Sequence, residues 1–172
     1  MLKVRTGAFE TNSSSMHSIA IKCNKKGISP EQYAHMISRW YEDDELIPVR
    51  FNDFGWGPYA YIEFEHKLSY LVTLIKEVNG ISLPGYWGAP SGKTFDDVKT
   101  EMENTEEWRQ IDDVIYEHTG LRMELEPSEG YVDHQSVRSI NHFLENEGVE
   151  GVDLFTFLFD KNYVLIIDND NH

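Results

Sequence analysis

The chain has 172 residues, 40% hydrophobic and 13% aromatic, which is enough to build a core and too apolar for a disordered acidic chain. Fifteen lysines and arginines against thirty acids give a net charge of −15, which excludes a broad basic footprint for nucleic acid. The charge is uneven: residues 1–29 carry five bases and one acid, a net +4, whereas residues 30–172 carry ten bases and 29 acids, a net −19. One cysteine, Cys23, leaves no internal disulfide. No run approaches the ~18 apolar residues that span a bilayer, and no signal-peptide pattern follows Met1, so a cytoplasmic protein without a membrane partner is expected.

In chain order, residues 2–5 alternate apolar and basic side chains, the pattern of a short strand. Residues 10–15 form a polar loop. His17, Ile19 and Ile21, alternating with Ser18, Ala20 and Lys22, predict a strand. Ser29 as N-cap and Pro30 at the first helical position then start a helix with Tyr33, Met36, Ile37, Trp40 and Tyr41 on one face. An irregular stretch from residue 46, rich in aromatics and glycine, leads into a strand over 59–64. Leu68, Leu71, Val72, Ile75 and Val78 define a helix closed by Asn79-Gly80. Residues 82–94 hold Pro84, Gly85, Gly88, Pro90 and Gly92 and read as a loop.

A short helix carries Phe95, Val98 and Met102. A longer one carries Trp108, Ile111, Ile115 and His118, between Thr105 as N-cap and Gly120 as stop. Residues 121–125 alternate as a strand. Asp133 is an N-cap for a helix with Val137, Ile140, Phe143 and Leu144, ended by Gly148. Two β-rich runs, 154–159 and 163–167, joined by Asp160-Lys161-Asn162, predict a C-terminal antiparallel hairpin. No regular strand–helix–strand rhythm appears. The pattern predicts an α+β fold, a single compact domain of mainly antiparallel sheet with about four to five helices.

Chemistry concentrates near the N-terminus. Thr11, Ser13, Ser14, Ser15 and Ser18 place five hydroxyls close together, beside Glu10 and Asn12. Ser and Asn make local turns that align successive N–H groups, and such a concave run binds anions. Arg5 and His17 add charge and donors, so the loop suits a phosphate or a ribose. The bland alternative is a hairpin that satisfies only its own backbone. A second candidate is the helix start at Asp133, where His134, Ser136 and Arg138 would sit beside an anion held by free N–H groups. Its alternative is an ordinary capped helix. If a reaction is catalysed, His17 or His134 is the acid–base candidate, since histidine alone titrates near neutral pH unperturbed. His17 shares a strand face with Ile19 and Ile21, so burial of that face would make it a structural residue.

Other features carry less. The run Gly88-Ala89-Pro90-Ser91-Gly92-Lys93-Thr94 lacks the first glycine of a P-loop and a preceding apolar strand, which excludes an NTPase signature. His134-Gln135-Ser136-Val137 and His17-Ser18-Ile19-Ala20 match a two-histidine phosphoesterase pattern only in part. Phe54-Gly55-Trp56-Gly57 and Gly85-Tyr86-Trp87-Gly88 could stack on a base but fit the edge of a core better. No metal is expected: Asp168-Asn169-Asp170-Asn171-His172 is terminal, and no cysteine–histidine spacing supports zinc. No cofactor is expected either.

The string Phe9-Glu10-Thr11-Asn12-Ser13-Ser14-Ser15-Met16-His17-Ser18 resembles the opening of a family of small phage and bacterial proteins that begin with a short strand and F-E-T-N-S-S-S-x-H-S. The resemblance covers roughly the first 20 residues and brings no assigned activity. It implies a phage-type accessory protein in the bacterial cytoplasm. Two further classes stay open. One is an acidic inhibitor or adaptor that binds a basic host protein, in the manner of a nucleic-acid mimic, through residues 42–45 and 96–107. The other is a structural accessory without a ligand.

Overall fold

The computed structural model of the chain describes residues 16–22, 27–42, 46–54, 59–85, 90, 92–132, 139–144 and 152–169. The first strand, β1 (Met16–Lys22), falls where alternation predicts it. Ser29 then caps α1 (Pro30–Trp40) through a reciprocal box: Gln32 N–H donates to Ser29 Oγ at 3.3 Å, and Ser29 N–H donates to Gln32 Oε1 at 3.0 Å. The helix buries Tyr33, Ala34 and Ile37, a narrower stripe than its apolar spacing predicts. Met36 and Trp40 are exposed, and Trp40 turns its ring edge-on to Tyr33 at 6.1 Å.

Two corrections follow along the chain. Part of the expected irregular stretch is β2 (Leu46–Val49), in which Ile47 and Val49 are buried and Pro48 is exposed. The proline masks an alternation that is otherwise strand-like. The strand expected over 59–64 ends early: β3 covers Tyr59–Tyr61, and Phe64 already opens α2 (Phe64–Val78). Tyr33 explains the switch, since its phenol oxygen accepts the Phe64 N–H, one of the unpaired donors of a first helical turn.

α3 (Phe95–Glu103) and α4 (Glu106–Thr119) form where predicted, capped by Thr94 and Thr105. Gly120 ends α4 in the left-handed region at φ 77°. β4 (Arg122–Leu125) follows. Of the helix expected after Asp133, residues 133–138 lie outside the described residues, and α5 (Ile140–His142) lies within its span. The predicted hairpin is not formed, because 154–159 is helical. α6 (Leu154–Phe159) is capped by Asp153, whose Oδ1 accepts the Thr156 N–H at 2.7 Å, and only β5 (Tyr163–Asn169) is a strand. A short apolar run cannot be told from a strand by periodicity, and the cap decides it here.

The fold is α+β, with two sheets among the described residues. β5 is central in the order β1-β5-β3 and antiparallel to both neighbours; β2 and β4 pair in parallel. One hydrophobic cluster runs from Tyr33 to Ile167, with α2 at its centre and Leu71, Val72, Leu74 and Ile75 fully buried. No helix among the described residues is long and apolar enough to cross a membrane.

Asp112 on α4 fixes the outer edge of β4. Its Oδ1 accepts the Met123 N–H at 2.8 Å, and its Oδ2 accepts from Arg122 Nη1 at 2.7 Å. Arg122 also donates to Asp113 and lies 4.1 Å from the Tyr116 ring centroid. Asp112→Ala should therefore leave a strand N–H without a partner and cost about 1–3 kcal/mol in urea unfolding, whereas Asp112→Asn keeps an acceptor and should cost less. Equal losses in the two variants would contradict this role.

Candidate functional site

Residues Arg5, Glu10, Thr11, Asn12, Ser13, Ser14 and Ser15 lie outside the described residues, as do His134, Ser136, Arg138 and Cys23. His17 is placed through its strand. In the β1–β5 register, His17 stands opposite Asp168, Ile19 opposite Ile166 and Ile21 opposite Val164. The alternate β5 positions, Tyr163, Leu165 and Ile167, belong to the main hydrophobic cluster. Directly opposed residues of an antiparallel pair share a face. Ser18, Ala20 and Lys22 therefore occupy the cluster side of β1, and His17, Ile19 and Ile21 occupy the other. The question of the His17 face is answered at the level of the backbone: it is not the face of the main core.

The structure also brings together two segments that the sequence nominated separately. Beyond the carboxyl ends of the parallel strands, residues 50–54 and 126–132 run side by side. Glu126 N–H donates to Val49 O at 2.8 Å, Phe51 N–H to Ser128 Oγ at 2.9 Å and Phe54 N–H to Tyr131 O at 2.8 Å. Arg50 Nε donates to Glu126 Oε2 at 2.6 Å across the same seam. The contact is so close at Gly130 that a Cβ there would overlap Asn52 N and stand 2.6 Å from Asn52 O. The Phe54 aromatic-glycine loop and the Tyr131 segment that leads to Asp133 thus start from one place. Phe54 is buried against Tyr61 and Tyr70, with ring centroids 5.6 and 5.4 Å away, which is the core-edge role.

The glycine-lysine run near residue 92 is also structural. Gly92 adopts φ 82°, and Lys93 N–H donates to Pro90 O at 3.1 Å. Lys93 Nζ reaches Glu101 Oε2 at 2.7 Å, while Thr94 and Asp97 form the capping box of α3. The N–H groups that a phosphate would use at Thr94 and Asp97 are already bonded.

Two polar clusters, one of them buried, escaped the sequence reading. Tyr33 O–H donates to Glu63 Oε2 at 2.8 Å, Lys161 Nζ donates to the same oxygen at 2.6 Å, and Lys161 lies 4.2 Å from the Tyr33 ring centroid. Burial, with Glu63 beside it, holds the Tyr33 phenol well above its ordinary pKa. The hydrogen bond from Lys161, joined by that from Tyr33, holds Glu63 below the usual carboxylate range. A phenol kept protonated beside a carboxylate kept ionised makes a lock between α1, α2 and the turn before β5, not an acid–base pair at neutral pH. Lys67 forms the second cluster. It is fully buried on α2 and donates to Phe157 O at 2.8 Å and Asp160 O at 3.0 Å. Its signal in the sequence is a lysine adjoining Leu68 and one turn before Leu71 on an apolar helix face.

Among the described residues, no group of three or more His, Cys, Asp or Glu converges as metal ligands would. Comparisons of the chain with protein-family models, curated proteins and solved structures returned no match.

Proposed function

We propose that the protein is a phage-type accessory protein that binds a nucleotide or another phosphate-bearing molecule at its N-terminal hydroxyl-rich loop. Arg5, Glu10, Thr11, Asn12, Ser13, Ser14, Ser15 and His17 supply the site, joined by the helix start at His134, Ser136 and Arg138. The supporting sequence feature is the coincidence of five hydroxyls with the net +4 stretch of an otherwise acidic chain. The observation that carries the reading furthest is the β1–β5 register. The loop leads directly into Met16, and His17 stands opposite Asp168 on the face away from the main core.

Thermal shift against nucleoside mono- and triphosphates and inorganic phosphate, at low and high salt, tests this. Saturating ligand at about 100 times its Kd should add roughly 2.7 kcal/mol of stability, and Arg5→Ala should abolish most of that gain. His17→Ala should weaken ligand stabilisation while leaving the ligand-free melting temperature nearly unchanged. No stabilisation by any phosphate compound would end the proposal.

A second reading, an adaptor for a basic host protein, draws on the exposed Asp96, Glu101, Glu103 and Glu106 of α3 and the start of α4. Part of that acidity already has a structural use, since Asp97 caps α3 and Glu101 pairs with Lys93.

A further inference from the structure

The two edges of the parallel pair are unlike. Val49 O accepts from Glu126, so Ile47 and Val49 turn their backbone groups towards β4. Leu46, Pro48 and Arg50 turn theirs outward. On β4 the outer edge is closed by Asp112 at the Met123 N–H. On β2 no described residue hydrogen-bonds to the outward groups of Pro48 or to the Arg50 N–H.

A cleft of about 360 Å³ lies along that open edge. Four consecutive residues of β2 and its exit, Ile47 to Arg50, line it, so the cleft follows the strand edge and not a single face. Its far wall is the start of α2, with Phe64, Leu68, Glu65 and Ser69. Ser69 is 8% exposed, yet its Oγ has no hydrogen-bond partner among the described residues, and neither does the Glu65 carboxylate. A buried hydroxyl without a partner costs free energy that a ligand would recover.

We propose that this cleft binds an extended basic peptide, which adds a strand to the outer edge of β2 and sends a lysine or arginine to Glu65 and Ser69. Pro48 offers a carbonyl and no N–H, so the edge accepts more than it donates. The one cation among the lining residues, Arg50, is already paired with Glu126, and Glu65 and Ser69 present a carboxylate and a hydroxyl without a partner among the described residues. An extended basic chain fits: its N–H groups and cations supply the donors that this edge and the Glu65 carboxylate can accept. Two β2 edges pair poorly with each other, because each carries the same proline, and this disfavours a second copy as occupant. The site is independent of the N-terminal anion site and stands if that one fails.

Fluorescence anisotropy with a labelled Val-Lys-Val-Lys-Val peptide tests the proposal on the full chain. Glu65→Gln should weaken binding about tenfold and Ser69→Ala about threefold, as expected for a charged and a neutral hydrogen bond. Glu117→Gln, an exposed acid of α4, should leave affinity within about twofold. A Val-Glu-Val-Glu-Val peptide should not bind. Equal losses for Glu65→Gln and Glu117→Gln would reduce the interaction to general charge attraction and overturn the proposal. So would absence of binding, or self-association of the free protein that Ser69→Ala abolishes, which would make the occupant a second copy.

Discussion

Replacing Lys67 by methionine should remove a rise in stability between about pH 8 and 10.5 that the unchanged protein displays. Burial pushes the Lys67 ammonium from its usual 10.5 down to about 8. Below pH 8 both folded and unfolded chains hold the proton, and the folded state bears the full cost of a desolvated cation. Between the two values the unfolded chain still holds a proton that the folded chain has released, so stability increases with pH, by up to roughly 3 kcal/mol across the window. Above 10.5 the gain is complete. Other groups titrate in the same range, so the informative quantity is the difference between Lys67→Met and the unchanged chain, from urea unfolding at several pH values. Parallel curves would show that the lysine is not buried as a cation.

At pH 7 the same position tests the charged form. The ammonium satisfies Phe157 O, a last-turn carbonyl of α6 with no partner inside its own helix, and it lies 5.6 Å from the Phe157 ring centroid. Lys67→Ala leaves a cavity and strips two carbonyls of a donor, and should cost roughly 3–5 kcal/mol. Lys67→Met keeps the volume and loses only the donors, so it should cost less.

Gly130→Ala is expected to be comparably damaging, for a different reason. At most positions an added methyl meets a side chain that can rotate away, but here the three nearest atoms all belong to the Asn52 backbone. Relief requires the 126–132 segment to move away from 50–54. The Phe51–Ser128 and Phe54–Tyr131 bonds would then break together. Overpacking alone costs about 1–3 kcal/mol, and with two hydrogen bonds lost the total should exceed 3 kcal/mol. For a chain of this size, that is a fall in Tm of about 6–12 °C. Gly120→Ala provides the comparison: nothing stands within 4 Å of a Cβ there, so only the positive φ is penalised, at about 1 kcal/mol. A Gly130→Ala loss no larger than that of Gly120→Ala would mean the two segments separate easily.

Much of the fold was legible because capping is written locally. Ser29, Thr105 and Gly120 mark helix ends by their own chemistry, and the structure uses each of them; Thr94 does the same for α3, although in the sequence it falls within the stretch that reads as a loop. Failures came where a distant partner decides. Phe64 turns from strand to helix because of Tyr33, thirty-one positions earlier. Residues 154–159 have the composition of a strand, and their helix is held by the Asp153 cap and a lysine from α2. β2 was hidden by one proline on its outward side. The candidate site was legible only as composition: hydroxyls, local charge and a histidine at strand parity. Which side of the sheet His17 occupies depends on β5, and no pattern within 16–22 contains that information.

β5 lies between β1 and β3, and its full-length pairing with β1 joins Met16 to Asn169. During synthesis β1 must therefore wait for nearly all of the intervening chain, on the order of ten seconds at about 5–20 residues per second. Until then Ile19, Ile21 and the edge groups of β1 have no strand to pair with, while α1 to α4 can form from local signals. Completion of β5, more than helix formation, thus sets when β1 acquires its partner strand. A nascent chain stalled before residue 163 would be the form most exposed to aggregation or to capture by a chaperone.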